Sequence, residues 1–271
     1  MKNQKIITLL IAVFASSAIL LSCEDFVQSV DQPIDTITPE QIQSESEIGF
    51  FVDGVVGRFH TTYDNALVLA GGLSDQLEFR GGNAGGPVND ATFPTFFDID
   101  IGDIEIDNNS VDGVFFALGQ SRFLADDLLR QANDIEFEDQ ALRERVFFTG
   151  NLYGGLSRYL YAVYFGLEED RGGGVIDNGP FIPSSEMFGL ALDKLNTALN
   201  FAPTDEETRI VNTMIGKIHL IQGNFSQALP FLESGMIPGD SFIAQYSQES
   251  QNAFDFRAGR SRNQYTVADR F

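Results

Sequence analysis

Residues able to do chemistry are few and scattered. Cys23 is the single thiol in 271 residues, so an internal disulfide is excluded whatever the compartment. His60 and His219 stand far apart, and neither has a second ligand at metal-binding spacing. Zinc therefore has no support, and His219 reads as a packed residue of a helix. Acid is plentiful, with 39 Asp and Glu against 17 Lys and Arg. Among so many carboxylates some pair always lies close, so the paired acids of a glycosidase are not legible from spacing. Asp98, Asp100, Asp103, Glu105 and Asp107 offer hard oxygens but lack the spacing and the glycine of an EF-hand. They read better as a solvated strand edge than as a calcium site. Gly172-Gly173-Gly174 has neither the following Lys-Ser/Thr nor the preceding strand of a phosphate loop. The stretch 74–83 remains. Asp75, Arg80 and Asn83 can hydrogen-bond hydroxyl groups there, and Phe79 offers a ring for stacking. The competing reading is a structural loop in which Asp75 and Arg80 pair with each other. No enzymatic activity, cofactor or metal is expected.

The charge balance narrows the partners. The formal charge is -22, and Lys2 and Lys5 lie in the leader, so the rest of the chain is more acidic still. Such a field repels nucleic acid and anionic membrane surfaces. It also disfavours a polyanionic ligand unless a metal mediates. Neutral carbohydrate, peptide or a cation fits better, and solubility in a salty medium accounts for much of the charge. Apolar residues make up 43% of the chain, enough for a real core. The chain has 25 Phe and 7 Tyr but no Trp. Much of the Phe must be core, and the commonest flat platform for a sugar ring is missing.

The elements that hold these residues begin with an address. Lys2 and Lys5 precede an apolar run, 6–21, broken by Thr8, Ser16 and Ser17. A spanning helix needs about 20 apolar residues, and this run is shorter, with small residues near its end. Leu20-Leu21-Ser22-Cys23 resembles a bacterial lipoprotein signal. The resemblance implies that 1–22 is a signal peptide and that the Cys23 thiol carries lipid, which removes it as a nucleophile. Glu24-Asp25 resembles the surface-export signal of Bacteroidetes-type lipoproteins, or simply opens a solvated linker. Residues 23–37 read as a tether.

The remainder, 38–271, is mostly helical. Thr38-Pro39-Glu40-Gln41 and Ser44-x-x-Glu47 are helix starts. Ile48, Phe51, Val52, Val55, Val56 and Phe59 follow at helical spacing. Gly54 and Gly57 in that helix suggest the close approach of another backbone. Glycine pairs break any helix across 71–112, and the period-two alternation over 96–107 reads as a small hairpin. Val111 to Ala132 keeps one apolar face for about six turns, ended by Asn133-Asp134. Leu142 to Val163 forms the next long helix. Its Gly150 and Gly154 are a small-xxx-small pair, but Arg143, Glu144, Arg145 and Arg158 turn that from a membrane motif into tight soluble packing. Ser184-Ser185-Glu186 caps a helix that Pro203 stops. The stripe Ile210, Val211, Met214, Ile215, Ile218 and Ile221, the turn Gly223-Asn224, and then Phe225, Ala228, Leu229 and Leu232 resemble a tetratricopeptide unit. Pro230 departs from it, so the second helix starts late, near Ser226, or kinks. Arg257, Arg260, Arg262 and Arg270 form a late basic cluster.

Taken in order, these pieces resemble the amino-terminal part of a SusD/RagB-family lipoprotein. They are the lipobox, Thr38-Pro39-Glu40-Gln41, Val52-Asp53-Gly54-Val55, Ser74-Asp75 in the glycine-rich stretch, and Val163-Tyr164-Phe165-Gly166. Leu192-Asp193-Lys194-Leu195-Asn196-Thr197-Ala198-Leu199, Gly216-Lys217-Ile218-His219-Leu220 and Gly223-Asn224-Phe225 complete the series. The resemblance covers 20–236. It implies a mostly α fold of tetratricopeptide-like helix pairs with long irregular loops. It also implies an outer-membrane lipoprotein that hands oligosaccharide or peptide to a SusC-like TonB-dependent receptor. Thr149-Gly150 departs from the Arg-Ala pair common in the family. Family members are also much longer, so 38–271 reads as a domain truncated at its carboxyl side. The rival reading is a lipid-anchored scaffold that binds protein partners only.

Overall fold

The computed structural model of the protein describes residues 44–80, 94–166, 179–247, 251–258 and 264–269. Cys23, Asn83, the 38–41 helix start, the triple glycine at 172–174 and Arg260, Arg262 and Arg270 lie outside these ranges. The described chain is mostly helical, with α1 (Glu45–Leu73), β1 (Leu77–Phe79), α2 (Pro94–Ile101), α3 (Asn109–Ala132) and α4 (Gln140–Tyr164) in its first part. Then come α5 (Ser184–Leu199), α6 (Asp205–Ile221), α7 (Phe225–Glu233), α8 (Ala253–Ala258) and β2 (Tyr265–Val267).

Local chemistry sets the helix starts. Asn108 caps α3, its side-chain oxygen accepting from the N–H groups of Ser110 and Val111 at 3.1 Å each. Asp139 does the same for α4, at 2.8 Å from Ala141 N and 3.2 Å from Leu142 N. Thr204 caps α6, its hydroxyl accepting from Glu207 N at 3.1 Å and donating to the Glu207 carboxylate at 2.8 Å. At Ser44 the hydroxyl donates to the Glu47 carboxylate at 2.9 Å and caps no backbone N–H. The α5 cap differs from the sequence expectation. Pro183 is the N-cap residue, and Ser184 instead donates to Ala162 O at 2.8 Å, tying α5 to the end of α4.

The long helices pack in chain order, α1 on α3, α3 on α4, α4 on α5, α5 on α6 and α6 on α7, and α1 also touches α4. Such stacking of successive helix pairs is the tetratricopeptide arrangement expected from the sequence. The middle helix is the most enclosed: every residue of 148–162 is buried. Glycine permits this. A Cβ added at Gly150 would lie 2.6 Å from Leu129 Cγ and 3.1 Å from Ala125 O, and one at Gly155 would lie 2.9 Å from Leu195 Cγ. Gly54 and Gly57 do not work this way, since nothing lies within 4 Å of their added Cβ. Pro230 is accommodated inside α7, which begins at Phe225.

The hairpin expected over 96–107 is absent. Residues 96–101 belong to α2, where Phe96 and Ile99, three apart, turn toward the core. The alternation was too short to separate a strand from one helical turn. The strand pair is formed instead by β1 and β2, antiparallel, with Leu77 opposite Val267 and Phe79 opposite Tyr265. Arg80 N extends the ladder by donating to Gln264 O at 2.7 Å.

Candidate functional site

The stretch 74–80 is half structural. Asp75 sits at φ 58°, a left-handed turn conformation that Asp tolerates better than most residues. The Phe79 ring is fully buried, edge-on to Tyr265 at 5.5 Å and tilted to Phe96 at 6.3 Å. It is the floor of the ladder and offers no face for stacking. Arg80 is half-exposed beside it. Its guanidinium pairs with Glu78 at 3.0 Å and Asp269 at 3.9 Å, and its Nε donates to Thr266 Oγ1 at 3.3 Å. The sequence had offered Asp75 as its partner, whereas Glu78 and Asp269 hold it here.

A second polar region lies where α1, α4 and α6 meet. A groove of about 740 Å³ there is lined by His60, Arg145, Tyr153, Glu206 and Glu207. The segment 241–247, in neither helix nor strand, runs along it. Ser241 N donates to Glu206 at 2.8 Å, Gln245 N donates to His60 Nδ1 at 3.2 Å, and Tyr246 OH donates to His60 O at 3.0 Å. Phe242 stacks on Tyr153, with centroids 6.4 Å apart. Burial pushes the Tyr153 phenol up to about 12. Burial also lowers the His60 pKa. The neutral imidazole that accepts from Gln245 is thereby favoured. The strap starts at Asp240, which grips Arg209 through two hydrogen bonds at 2.6 and 2.7 Å. That grip holds its carboxyl down near 2. Thr149 is buried in the floor of this groove.

Elsewhere in the stack three cations converge on one carboxylate. Asp126 accepts from Arg122 at 2.9 Å and Arg158 at 2.7 Å, and pairs with Lys194 at 3.0 Å. Both arginines are buried. Burial works to raise the Asp126 pKa, but the charges and hydrogen bonds of Arg158 and Lys194 outweigh it and hold the group below its ordinary value. This cluster joins α3, α4 and α5. Sequence reading missed it because Asp126, Arg158 and Lys194 come together only when those helices stack. His219 stacks on Phe231 at 5.9 Å, a packing role. Among the described residues no group of three or more His, Cys, Asp or Glu could hold a metal ion.

The fold is thus a stack of helix pairs with a short two-stranded ladder beside it. A crystal structure of a SusD superfamily protein from Bacteroides vulgatus ATCC 8482 matches it with a TM-score of 0.54 and 13% identity. The match covers 77% of this chain and 47% of that one, so the chain spans about half the length of the solved protein. At that identity the likeness establishes a SusD-like fold. No protein-family model matches the chain, and no curated protein does.

Proposed function

We propose that the protein is a cell-surface lipoprotein, anchored in the outer membrane through Cys23. In this reading it captures oligosaccharide or peptide for a SusC-like TonB-dependent transporter. The observation that carries the reading is the SusD-like helix stack, shared over 77% of the chain with a SusD superfamily protein. The lipobox-like Leu20-Leu21-Ser22-Cys23 supports the anchor. In keeping with a lipid tether, no helix among the described residues is long and apolar enough to cross a membrane. Asp75, Arg80 and Asn83 are proposed polar contacts for a ligand, with Phe79 shaping the ladder beneath them.

Two measurements test this. Intact-mass analysis of the mature chain, with Cys23→Ser as control, should find a lipidated residue 23 on the wild type and none on the variant. A wild-type chain released from membranes with a free thiol sinks the anchor. Affinity purification from membranes should recover a TonB-dependent barrel, and a glycan and peptide array should show a bound class. The scaffold reading rests on the outer side of α6 and α7, where Leu220, Ile221, Phe225 and Leu229 stay exposed. A protein partner recovered without any barrel or array ligand favours it.

A further inference from the structure

A groove of about 650 Å³ runs along the outer side of α3, bordered by Arg58 of α1 and floored by Tyr161 of α4. Phe116 and Phe123 stand in it 66% and 52% exposed. Seven residues apart on one helix, they share a side and lie roughly 10 Å apart along its axis. Gly119 lies between them. A Cβ added there would sit 3.0 Å from the Tyr161 hydroxyl, so the missing side chain keeps the floor between the rings open.

Arg58 is the anomaly. The chain holds 39 acidic residues. Among the described residues, every arginine other than Arg58 has a carboxylate partner or lies over an aromatic ring. Arg58 has neither. Its Nη2 donates to the neutral Gln120 side chain, and its buried Nε has no hydrogen-bond partner. Burial pushes the guanidinium pKa down with no counter-charge to offset it. Among the described residues no acidic side chain lines the groove. A cation with no counter-charge among the described residues, beside exposed rings, is costly for the free chain and complementary to an anion joined to a flat, partly apolar ring. The charge of the whole chain sets a bound on that ligand, because a field of -22 repels polyanions.

We infer that this groove binds a mostly neutral oligosaccharide bearing a single carboxylate, its sugar faces on Phe116 and Phe123 and its carboxylate on Arg58. The inference rests on the capture reading and names the class of ligand that reading leaves open.

Calorimetric titration of the full chain in detergent tests it. The probes are xylotriose carrying one methylglucuronic acid, a glucuronic acid–galactose disaccharide, neutral xylotetraose and tetragalacturonate. At least one single-carboxylate probe should bind more tightly than the neutral and polyanionic ones, and more weakly as salt rises. Arg58→Gln should weaken that probe about tenfold or more and leave xylotetraose unchanged. Arg58→Lys should recover part of the loss. Phe116→Ala and Phe123→Ala should weaken both probes. All three positions are at least partly exposed, and circular dichroism melts check that the variants fold. If neither single-carboxylate probe binds, or if Arg58→Gln changes nothing, the inference is wrong. Array ligands that bind with affinities indifferent to Arg58 would overturn the groove and leave the capture reading standing. An empty array would overturn both.

Discussion

The middle and the end of the helix stack are built from similar apolar stripes and meet opposite fates. In α4 both sides are covered, by α3 and by α5, and 148–162 is buried throughout. In α7 only Ala228 is buried, while Phe225 is 70% and Leu229 57% exposed. Yet α7 is the more amphipathic-looking of the two, since α4 carries arginines and glycines inside its buried run. Burial here follows from having a helix on each side and not from the apolar content of the helix itself. The middle therefore had to solve two problems that the end did not. It buries charge, through Asp126, and it brings backbones close, through Gly150 and Gly155. The end face leaves apolar groups where a capping repeat would carry polar ones.

The contrast predicts where the molecule is brittle. Asp126→Ala should be the most damaging change, because it leaves Arg122 and Arg158 buried beside Lys194 with their shared carboxylate gone. Breaking a buried pair from one side costs about 3–5 kcal/mol, readable as a shift of the urea midpoint at constant slope. A loss below about 1 kcal/mol would show that the middle is held by packing alone. The same group sets a pH dependence. Its folded pKa is depressed, so its stabilisation is present above the unfolded Asp value of about 3.9. That stabilisation is lost as pH falls through the lower folded value. Unfolding curves taken in steps below about pH 5 should weaken in the wild type and be flatter in Asp126→Asn.

Glycine substitutions sharpen the comparison by changing sign along the chain. Gly150→Ala places a methyl against Leu129 and the Ala125 carbonyl. It should destabilise by about 1–3 kcal/mol despite the better helix propensity of alanine. Gly54→Ala meets nothing within 4 Å and should stabilise by about 0.5–1 kcal/mol. Two thermal melts against wild type suffice. Equal signs would mean that the packing around α4 relaxes freely.

How far the sequence carried this picture follows from the same geometry. The long helices were legible because caps and 3.6-residue stripes are local. Asn133 ended α3 and the turn at Gly223, φ +74°, fell where the stripe broke. The small-xxx-small spacing announced the close packing at Gly150. Gly54 carried no such information, because a glycine says that a neighbour can come close and not that one does. The ladder was illegible. Leu77 and Val267 pair across most of the chain, and three-residue strands leave almost no periodic trace. For that reason Phe79 was read as an exposed ring when Tyr265 and Phe96 cover it. The Arg58 groove was invisible for a related reason. That Arg58 has no counter-charge among the described residues can be recognised only once the helices around it are packed.

The smallest effect tests the other end of the contrast. Leu229→Ser removes an apolar side chain that is already more than half in water, so little transfer free energy is lost. The change should stay within about 0.5 kcal/mol of wild type. The same loss of an apolar group at Leu195, fully buried between α4 and α5, should cost about 2–5 kcal/mol as Leu195→Ala. The ratio of the two numbers measures how exposed the end face is in solution. If Leu229→Ser instead costs well over 1 kcal/mol and the cost grows with protein concentration, the face is covered by a second copy of the chain. The end of the stack would then be buried by the same means as its middle, with the missing neighbour supplied from outside.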